Sequence, residues 1–159
     1  MQVHEIMTDN PIHVGPDDSL VQAAQWMKTH DTGFLPVVDP LDPRRLLGVI
    51  TDRDITLRAV AQDLDLSNTQ VSHVMSSGPL YSIEPDMDSS DAAVLMAHTQ
   101  VQRLCVVEDE RFLGVVSLGD LAVTEPDQAR DALQGISHGA KAEGFHPTKK
   151  EEKWEAEHP

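Results

Sequence analysis

The sequence predicts an α+β fold in which two tandem β-α-β-β-α repeats pack sheet to sheet with pseudo-twofold symmetry, followed by a flexible C-terminal tail. The first supporting observation is composition: of 159 residues, 40% are hydrophobic and 25% are charged, as in soluble globular proteins. The second is an internal duplication, and the third is a shared order of helical and strand periodicities in both copies. Because a unit of roughly 60 residues buries little surface alone, we expect the repeats to share one core.

The duplication is visible as short stretches of the first half that return, in the same order, in the second half. The methionine at position 7 aligns with the one at 75, and the two alanines at 23 and 24 align with those at 92 and 93. The aligned stretches are VHEIMTDNP from Val3 with VSHVMSSGP from Val71, FLPVVD from Phe34 with RLCVVE from Arg103, and GVITDRD from Gly48 with GVVSLGD from Gly114.

The first repeat begins with a short strand at residues 12–14 and continues into an amphipathic helix. Apolar residues at positions 20, 23, 24 and 27 have the i, i+3, i+4, i+7 spacing of one helical face. Ser19 and Gln22 have the spacing of a capping box at the start of this helix.

The rest of the repeat is predicted as a hairpin and a second helix. Residues 35–38 and 46–51 are apolar enough for paired strands, and the proline-rich stretch 40–45 is predicted as the turn between them. Residues 52–61 follow as the second helix, and the second copy repeats this order from 80 to about 123.

These elements divide the chain into residues 1–64 as repeat 1, 65–127 as repeat 2, 128–137 as a short helix and 138–159 as a tail. Pro126 suits the first turn of that helix and Gly135 suits its end. The tail is rich in lysine and glutamate with little that could pack, so we expect it to be flexible. The alternative is a short helix around residues 149–156 that docks Trp154 on a partner.

Charge and cysteine content exclude several classes of protein. The net charge is -15, from 12 basic against 27 acidic side chains, which disfavours nucleic acid and anionic membrane as partners. No apolar run approaches the roughly 20 residues of a membrane span, and the N-terminus lacks a secretory signal. A lone Cys105, inside an apolar strand, predicts a buried inert thiol and a reducing compartment. We therefore expect a cytoplasmic protein.

The junction between the second strand of the hairpin and the following helix carries the most informative polar residues. Thr51 precedes Asp54, and Ser117 precedes Asp120, by three positions. This spacing is first of all that of a capping box, which satisfies the amides that open a helix. The same atoms also suit a ligand, because such a helix start attracts anions and a carboxylate can accept hydrogen bonds from the two hydroxyls of a ribose.

The combination of these stretches, twice and in order, resembles the CBS domain, a small repeat that occurs in tandem pairs called Bateman modules. The resemblance covers residues 1 to about 127 and implies a sensor that binds AMP, ADP, ATP or S-adenosylmethionine in clefts between the repeats, and that forms a homodimer. It assigns the ribose to Asp54 and Asp120, and the assisting hydroxyls to Thr51 and Ser117. The backbone that lies against adenine is assigned to His13 and Val14 and to Ser82 and Ile83.

The resemblance also implies that the sites are crossed and chemically unequal. Thr51 and Asp54 should share a cleft with Ser82 and Ile83, and Ser117 and Asp120 should share the other with His13 and Val14. Arg103 occupies a position where related pairs place a residue that contacts phosphate. Arg53 lies in the first junction, with Arg58 as a weaker candidate, whereas Gly119 replaces Arg53 in the second.

No arrangement typical of an enzyme or a metal site accompanies these residues. The eight histidines show neither HxH nor HExxH spacing, and there is no P-loop and no GxGxxG motif. We therefore expect a non-catalytic, metal-free, stand-alone nucleotide sensor that acts on a protein target the sequence does not identify. The alternative is a ligand-free dimerisation or protein-interaction module that acts through its surface or its tail.

Overall fold

The computed structural model describes residues 1–78 and 80–138, which form mixed helices and strands. None of the helices in these residues is both long enough and apolar enough to cross a membrane. The α-helices and strands, in chain order, are α1 Val3–Ile6, β1 Thr8–Asp9, α2 Leu20–Thr29, β2 Phe34–Asp39, β3 Asp42–Thr51, α3 Asp52–Arg58, β4 Ser82–Ile83, α4 Ser89–Thr99, β5 Arg103–Glu108, β6 Arg111–Ser117, α5 Leu118–Thr124 and α6 Pro126–His138. Short 3₁₀ helices lie at Val60–Gln62 and Val71–His73.

The chain divides into two compact units, each named here for the repeat that forms most of it. The first-repeat unit consists of residues 8–80 and 107–114. The second-repeat unit consists of residues 1–7, 81–106 and the described residues from 115 onward.

The first-repeat unit is built on the antiparallel hairpin of β2 and β3, in which Phe34 lies opposite Thr51. On the other side of β2, Val14 forms a single parallel bridge to Val37. The apolar face of α2 packs on this sheet, as its spacing predicts, through buried Leu20, Ala23 and Met27. The capping box of Ser19 and Gln22 is also present, which confirms the predicted helix start.

Three predicted boundaries in this unit are wrong. The strand expected at 12–14 is only the bridge at Val14, because prolines on either side of this segment cannot donate to a ladder. The turn expected at 40–45 is shorter, since Asp39 already pairs with Asp42 after irregularities in β2 that shift the register. The helix expected at 52–61 ends at Arg58 and tightens into a 3₁₀ turn, as helix ends often do.

The other sheet has four strands in the order β1-β6-β5-β4. Here Ser82 lies opposite Cys105, and Ile83 lies opposite Val106, in a parallel pair. Ile83 and Val106 align in the sequence with Val14 and Val37, so both repeats place the same segment beside the same strand. The tight turn between β5 and β6 holds Asp109 and Glu110 at φ of 46° and 66°, which fits the twist of a two-residue hairpin.

The leading segment of each repeat packs in the unit formed mainly by the other repeat. Val3 and Ile6 lie in the second-repeat core, where the backbone amide of Val3 donates to the carbonyl of Met87 at 2.9 Å. Val71 and Val74 lie in the first-repeat core, together with Leu20 and Leu35. Each hydrophobic core is therefore completed by residues that are distant in the sequence from the rest of that core.

Helix α6 packs against α4 and α5, with Ala129 and Ala132 buried at the contact. Gly135, expected at the end of this helix, lies inside it instead. A Cβ atom at Gly135 would be 2.5 Å from the Cβ of Ala97, so the glycine is required for the close approach of α6 to α4. The predicted flexible tail, and its alternative helix with Trp154, lie outside the described residues from 139 onward.

We predict that Gly135→Ala destabilises the protein although alanine is the better helix former. The added methyl group meets the Cβ and Cα atoms of Ala97, which have no side-chain rotamer with which to move aside. Overpacking of this kind costs about 1–3 kcal/mol, against roughly 1 kcal/mol gained in helix propensity. Urea unfolding should show a lower midpoint. The matched control is Gly119→Ala in α5, where the nearest atom to an added Cβ is the Ser117 hydroxyl at 3.4 Å and no loss is expected. Equal midpoints for the two variants would contradict this account of Gly135.

Candidate functional site

The first junction is the point where β3 ends at Thr51 and α3 begins. The backbone amide of Asp54 donates to Thr51 Oγ1 at 3.1 Å, and the backbone amide of Thr51 donates to Asp54 Oδ2 at 2.9 Å. Together these bonds form the predicted capping box. The carboxylate is therefore fixed by the backbone amide of Thr51, and the Asp54 side chain is only 15% exposed.

The second junction, between β6 and α5, has the same geometry. The amide of Asp120 donates to Ser117 Oγ at 3.2 Å, while the amide and the hydroxyl of Ser117 each donate to Asp120 Oδ2 at 2.7 Å. Ser117 and Thr51 also have nearly the same backbone angles, with φ of -120° and -116° and ψ of 162° at both. The duplication thus preserves the position of the carboxylate as well as the residue type.

Capping occupies one oxygen of each carboxylate and leaves the other for further contacts. The Oδ1 atom of Asp54 lies 3.7 Å from Arg58 Nε, on the next turn of α3. A carboxylate has about four acceptor positions, so each retains capacity for a ligand with hydroxyl donors.

The two carboxylates, rather than the helix ends, dominate the electrostatics of these junctions. Helices α3 and α5 have only seven residues each, so their dipoles are weak. We therefore expect any recognition at the junctions to depend on Asp54 and Asp120.

The segments predicted to lie against adenine lie at a sheet edge in both units, Val14 through a single bridge and Ser82 and Ile83 as strand β4. The amide of Val14 donates to the carbonyl of Pro36 at 3.0 Å, and the amide of Val38 donates back to Val14 at 2.9 Å. Likewise, β4 with Ser82 and Ile83 is the last strand in the order of its sheet. An edge strand presents backbone donors and acceptors on its outer side, which is the kind of surface a planar base can use.

Within each unit the structure keeps the junction and the edge segment apart. Val14 and β3 flank β2 on opposite sides, and Val14 lies opposite Val37 whereas Thr51 lies opposite Phe34. In the four-stranded sheet, β5 separates β4 from β6 in the same way. The predicted crossed sharing of clefts joins residues of different units, and it stays a prediction.

The predicted phosphate contacts have different surroundings. Arg53 is exposed on the first turn of α3, and its backbone amide donates to Asp52 Oδ1 at 2.8 Å. Arg103 is exposed at the start of β5 and interacts with another group of the protein. Among the residues predicted to lie against adenine, His13 is half-buried, with its Nδ1 atom 3.1 Å from the carbonyl oxygen of Pro11.

Sequence reasoning ranked Arg58 low and missed its contacts outside α3. Its Nη1 atom donates to the carbonyl of Val74 at 3.0 Å and lies within hydrogen-bond distance of Ser76 Oγ at 3.4 Å. The only sequence signal is the i, i+4 spacing from Asp54, which predicts an ion pair but not the two further acceptors.

The described residues contain neither an accessible thiol nor a cluster of metal ligands. Cys105 is buried, and this burial raises the pKa of its thiol to about 12. A thiol of that pKa holds almost no thiolate near neutral pH, so it is a poor nucleophile. No group of three or more His, Cys, Asp or Glu side chains suited to a metal ion occurs within residues 1–78 and 80–138.

We predict that each capping hydroxyl stabilises its junction to the same extent. Thr51→Val and Ser117→Ala should each lower the free energy of unfolding by about 1 kcal/mol, because an amide at the start of the helix loses its acceptor. The measurement is urea unfolding followed by circular dichroism. A control for the β-branched substitution is Thr56→Val, since Thr56 is exposed in α3 and its hydroxyl donates only to the carbonyl of Asp52. A loss at Thr56 as large as that at Thr51 would argue against the capping role.

Comparison with known proteins identifies the same repeat in a family profile and in similar proteins. The CBS domain profile matches residues 3–60 and 71–124. CBS domain-containing protein YhcV of Bacillus subtilis is 43% identical over 138 residues, which cover 86% of this chain and 95% of that protein. The crystal structure of Hypoxic Response Protein I, described with two coordinated zinc ions, is 30% identical and covers 77% of this chain and 98% of its own, with a TM-score of 0.69.

A third similar structure carries adenosyl ligands. The CBS domain pair of protein MJ0100, solved in complex with 5′-methylthioadenosine and S-adenosyl-L-methionine, is 25% identical with a TM-score of 0.67. It covers 78% of this chain and 98% of its own.

Proposed function

Since the chain belongs to the CBS-domain family through both of its repeats, we propose that it is a non-catalytic regulatory module that binds adenosyl ligands. The observation that carries this proposal is the matched pair of junctions. In each of them a capping box fixes a carboxylate and leaves one of its oxygens outside the cap.

We assign the ribose to Asp54 and Asp120. The vicinal hydroxyls of a ribose are two donors at a fixed separation, and an ionised carboxylate accepts both without a change of protonation. Thr51 and Ser117 hold the acids in place through the capping bonds, so they act as positioning residues as well as polar neighbours of the ligand.

We assign the adenine to the edge segments and the phosphates to the arginines. His13 and Val14, and Ser82 and Ile83, provide backbone at a sheet edge, where a base can form paired hydrogen bonds. Arg53 and Arg103 are the proposed phosphate contacts, because charge-assisted hydrogen bonds can offset the repulsion of a chain with net charge -15.

The ligand class is supported more strongly than any single ligand. The similar CBS pair that holds 5′-methylthioadenosine and S-adenosyl-L-methionine supports the adenosyl group as the common feature. AMP, ADP, ATP and S-adenosylmethionine are therefore the candidates to test. We propose that the module works as a cytoplasmic homodimer and signals to a protein target.

A second candidate function is that of an interaction module without ligand. Capping alone is a sufficient reason for both hydroxyl-acid pairs, and the first-repeat unit exposes apolar side chains that a partner could cover. Trp26 on α2 is 43% exposed, and Leu57 on α3 is 47% exposed. Binding experiments with the candidate ligands distinguish the two functions directly.

We predict that Asp54→Asn and Asp120→Asn each remove one component of adenosyl-ligand binding. Loss of the charged acceptor for the ribose should cost about 1.5–3 kcal/mol, which corresponds to roughly a tenfold to a hundredfold weaker affinity. Isothermal titration of AMP and S-adenosylmethionine measures this change.

The matched control is Asp63→Asn, which removes the same charge in the same unit. Asp63 is an exposed residue at φ of 55°, a conformation that asparagine tolerates well, so binding should not change. Unchanged affinity in both junction variants would contradict the assignment, and the absence of binding by the unmodified protein would favour the interaction module.

A further inference from the structure

Helix α6 is fastened at both ends to the surface that α4 and α5 form in the second-repeat unit. At its start, Glu125 Oε1 accepts the hydroxyl of Ser89 at 2.8 Å, and Ser89 is fully buried. A buried hydroxyl requires such a partner, so the bond ties the start of α6 to the start of α4. Towards its other end, Gly135 lies against Ala97. Helix α6 is therefore an integral cover of this surface.

The corresponding surface of the first-repeat unit, on α2 and α3, is open. Three positions that are buried on α4 are exposed on α2. The aligned pairs are Ala93 with Ala24, Leu95 with Trp26, and Ala97 with Lys28. Next to α2, the side chain of Leu57 on α3 is exposed, and Val60 just after α3 is 55% exposed. We call this surface the α2/α3 face, formed by Ala24, Trp26, Lys28, Leu57 and Val60.

The two surfaces also differ in charge. Among the α-helices of the described residues, α2 is the only one without an acidic side chain, and it carries Lys28. Helices α2 and α3 together have three Lys or Arg and two Asp side chains, whereas α4, α5 and α6 together have one Arg and four Asp. Two copies of a chain with net charge -15 repel each other at long range. They can approach most closely where acids are not in excess, which favours the α2/α3 face.

We propose that two copies of this chain pair through the α2/α3 face alone, because α6 closes the corresponding face of the second-repeat unit. A twofold contact sets one surface against the same surface of a second copy, so the surface must complement itself. Trp26, Leu57 and Val60 supply apolar contact, and the nearly balanced charges of α2 and α3 can pair between copies. This inference rests on the homodimer of the proposed function and names its surface.

The test is sedimentation-velocity ultracentrifugation of the full chain over a range of concentrations. The first variant combines Trp26→Gln and Leu57→Gln. The matched control combines Val123→Gln and Leu133→Gln on α5 and α6, and Val123 is the position that aligns with Leu57. All four side chains are at least 43% exposed, so neither variant should lose its fold, which circular dichroism checks.

The unmodified protein should sediment as a dimer. Loss of Trp26 and Leu57 should raise the dissociation constant of the dimer at least about a hundredfold, because apolar and aromatic anchors carry most of the energy of an interface. The control should change it by less than about threefold. Amide hydrogen exchange gives a measurement without mutation: exchange in α2 and α3 should slow as the concentration of the unmodified protein rises, whereas exchange in α4 and α6 should not.

A monomeric unmodified protein overturns the proposal, since another partner would then have to cover the α2/α3 face. A dimer that survives the first variant, or that the control weakens equally, overturns it as well, and so does exchange that slows in α4 and α6 with concentration. Failure of the proposed ligand binding has a different signature, because it is measured by titrating AMP and S-adenosylmethionine into the unmodified protein and does not alter the sedimentation result.

Discussion

The capping boxes of Thr51 with Asp54 and of Ser117 with Asp120 are the interactions on which both junctions depend. Each carboxylate accepts the backbone amide of the last strand residue, so that the end of the sheet and the start of the helix are joined by one side chain. This bond to one oxygen fixes the second oxygen of the acid in space, independently of any ligand. A capping group that stabilises the fold can therefore also serve as a preorganised acceptor, because a carboxylate has more acceptor positions than a cap consumes.

Duplication kept this arrangement and changed the charges around it. The backbone angles at Thr51 and Ser117 are nearly the same, but the two arginines of α3 are replaced in α5 by glycine and threonine. In a chain with net charge -15, local cations decide where an anion can approach, since the long-range field repels it.

The parts of this structure that the sequence predicts are those determined by neighbouring residues. The capping boxes of α2, α3 and α5 and the apolar face of α2 depend on spacings of three or four residues, and all are present. The features that could not be predicted depend on distant contacts. In the sequence Gly135 resembles the end of a helix, and only the structure shows that Ala97 packs against it. Similarly, no neighbouring residue indicates that Val3 and Val71 pack in the core of the other repeat. Arg58 likewise acquires its bonds to Val74 and Ser76 only through the fold.

The most direct test of the central claim is to compare the binding of adenosine with that of 2′-deoxyadenosine and 3′-deoxyadenosine to the unmodified protein. If the carboxylates accept the ribose diol, each missing hydroxyl removes a charge-assisted hydrogen bond, and affinity should fall roughly tenfold or more. The difference between the three nucleosides should become smaller when both Asp54 and Asp120 are replaced by asparagine, because the remaining amide oxygen is uncharged. Equal affinity of the three nucleosides for the unmodified protein would contradict the claim, because the base alone would then account for binding.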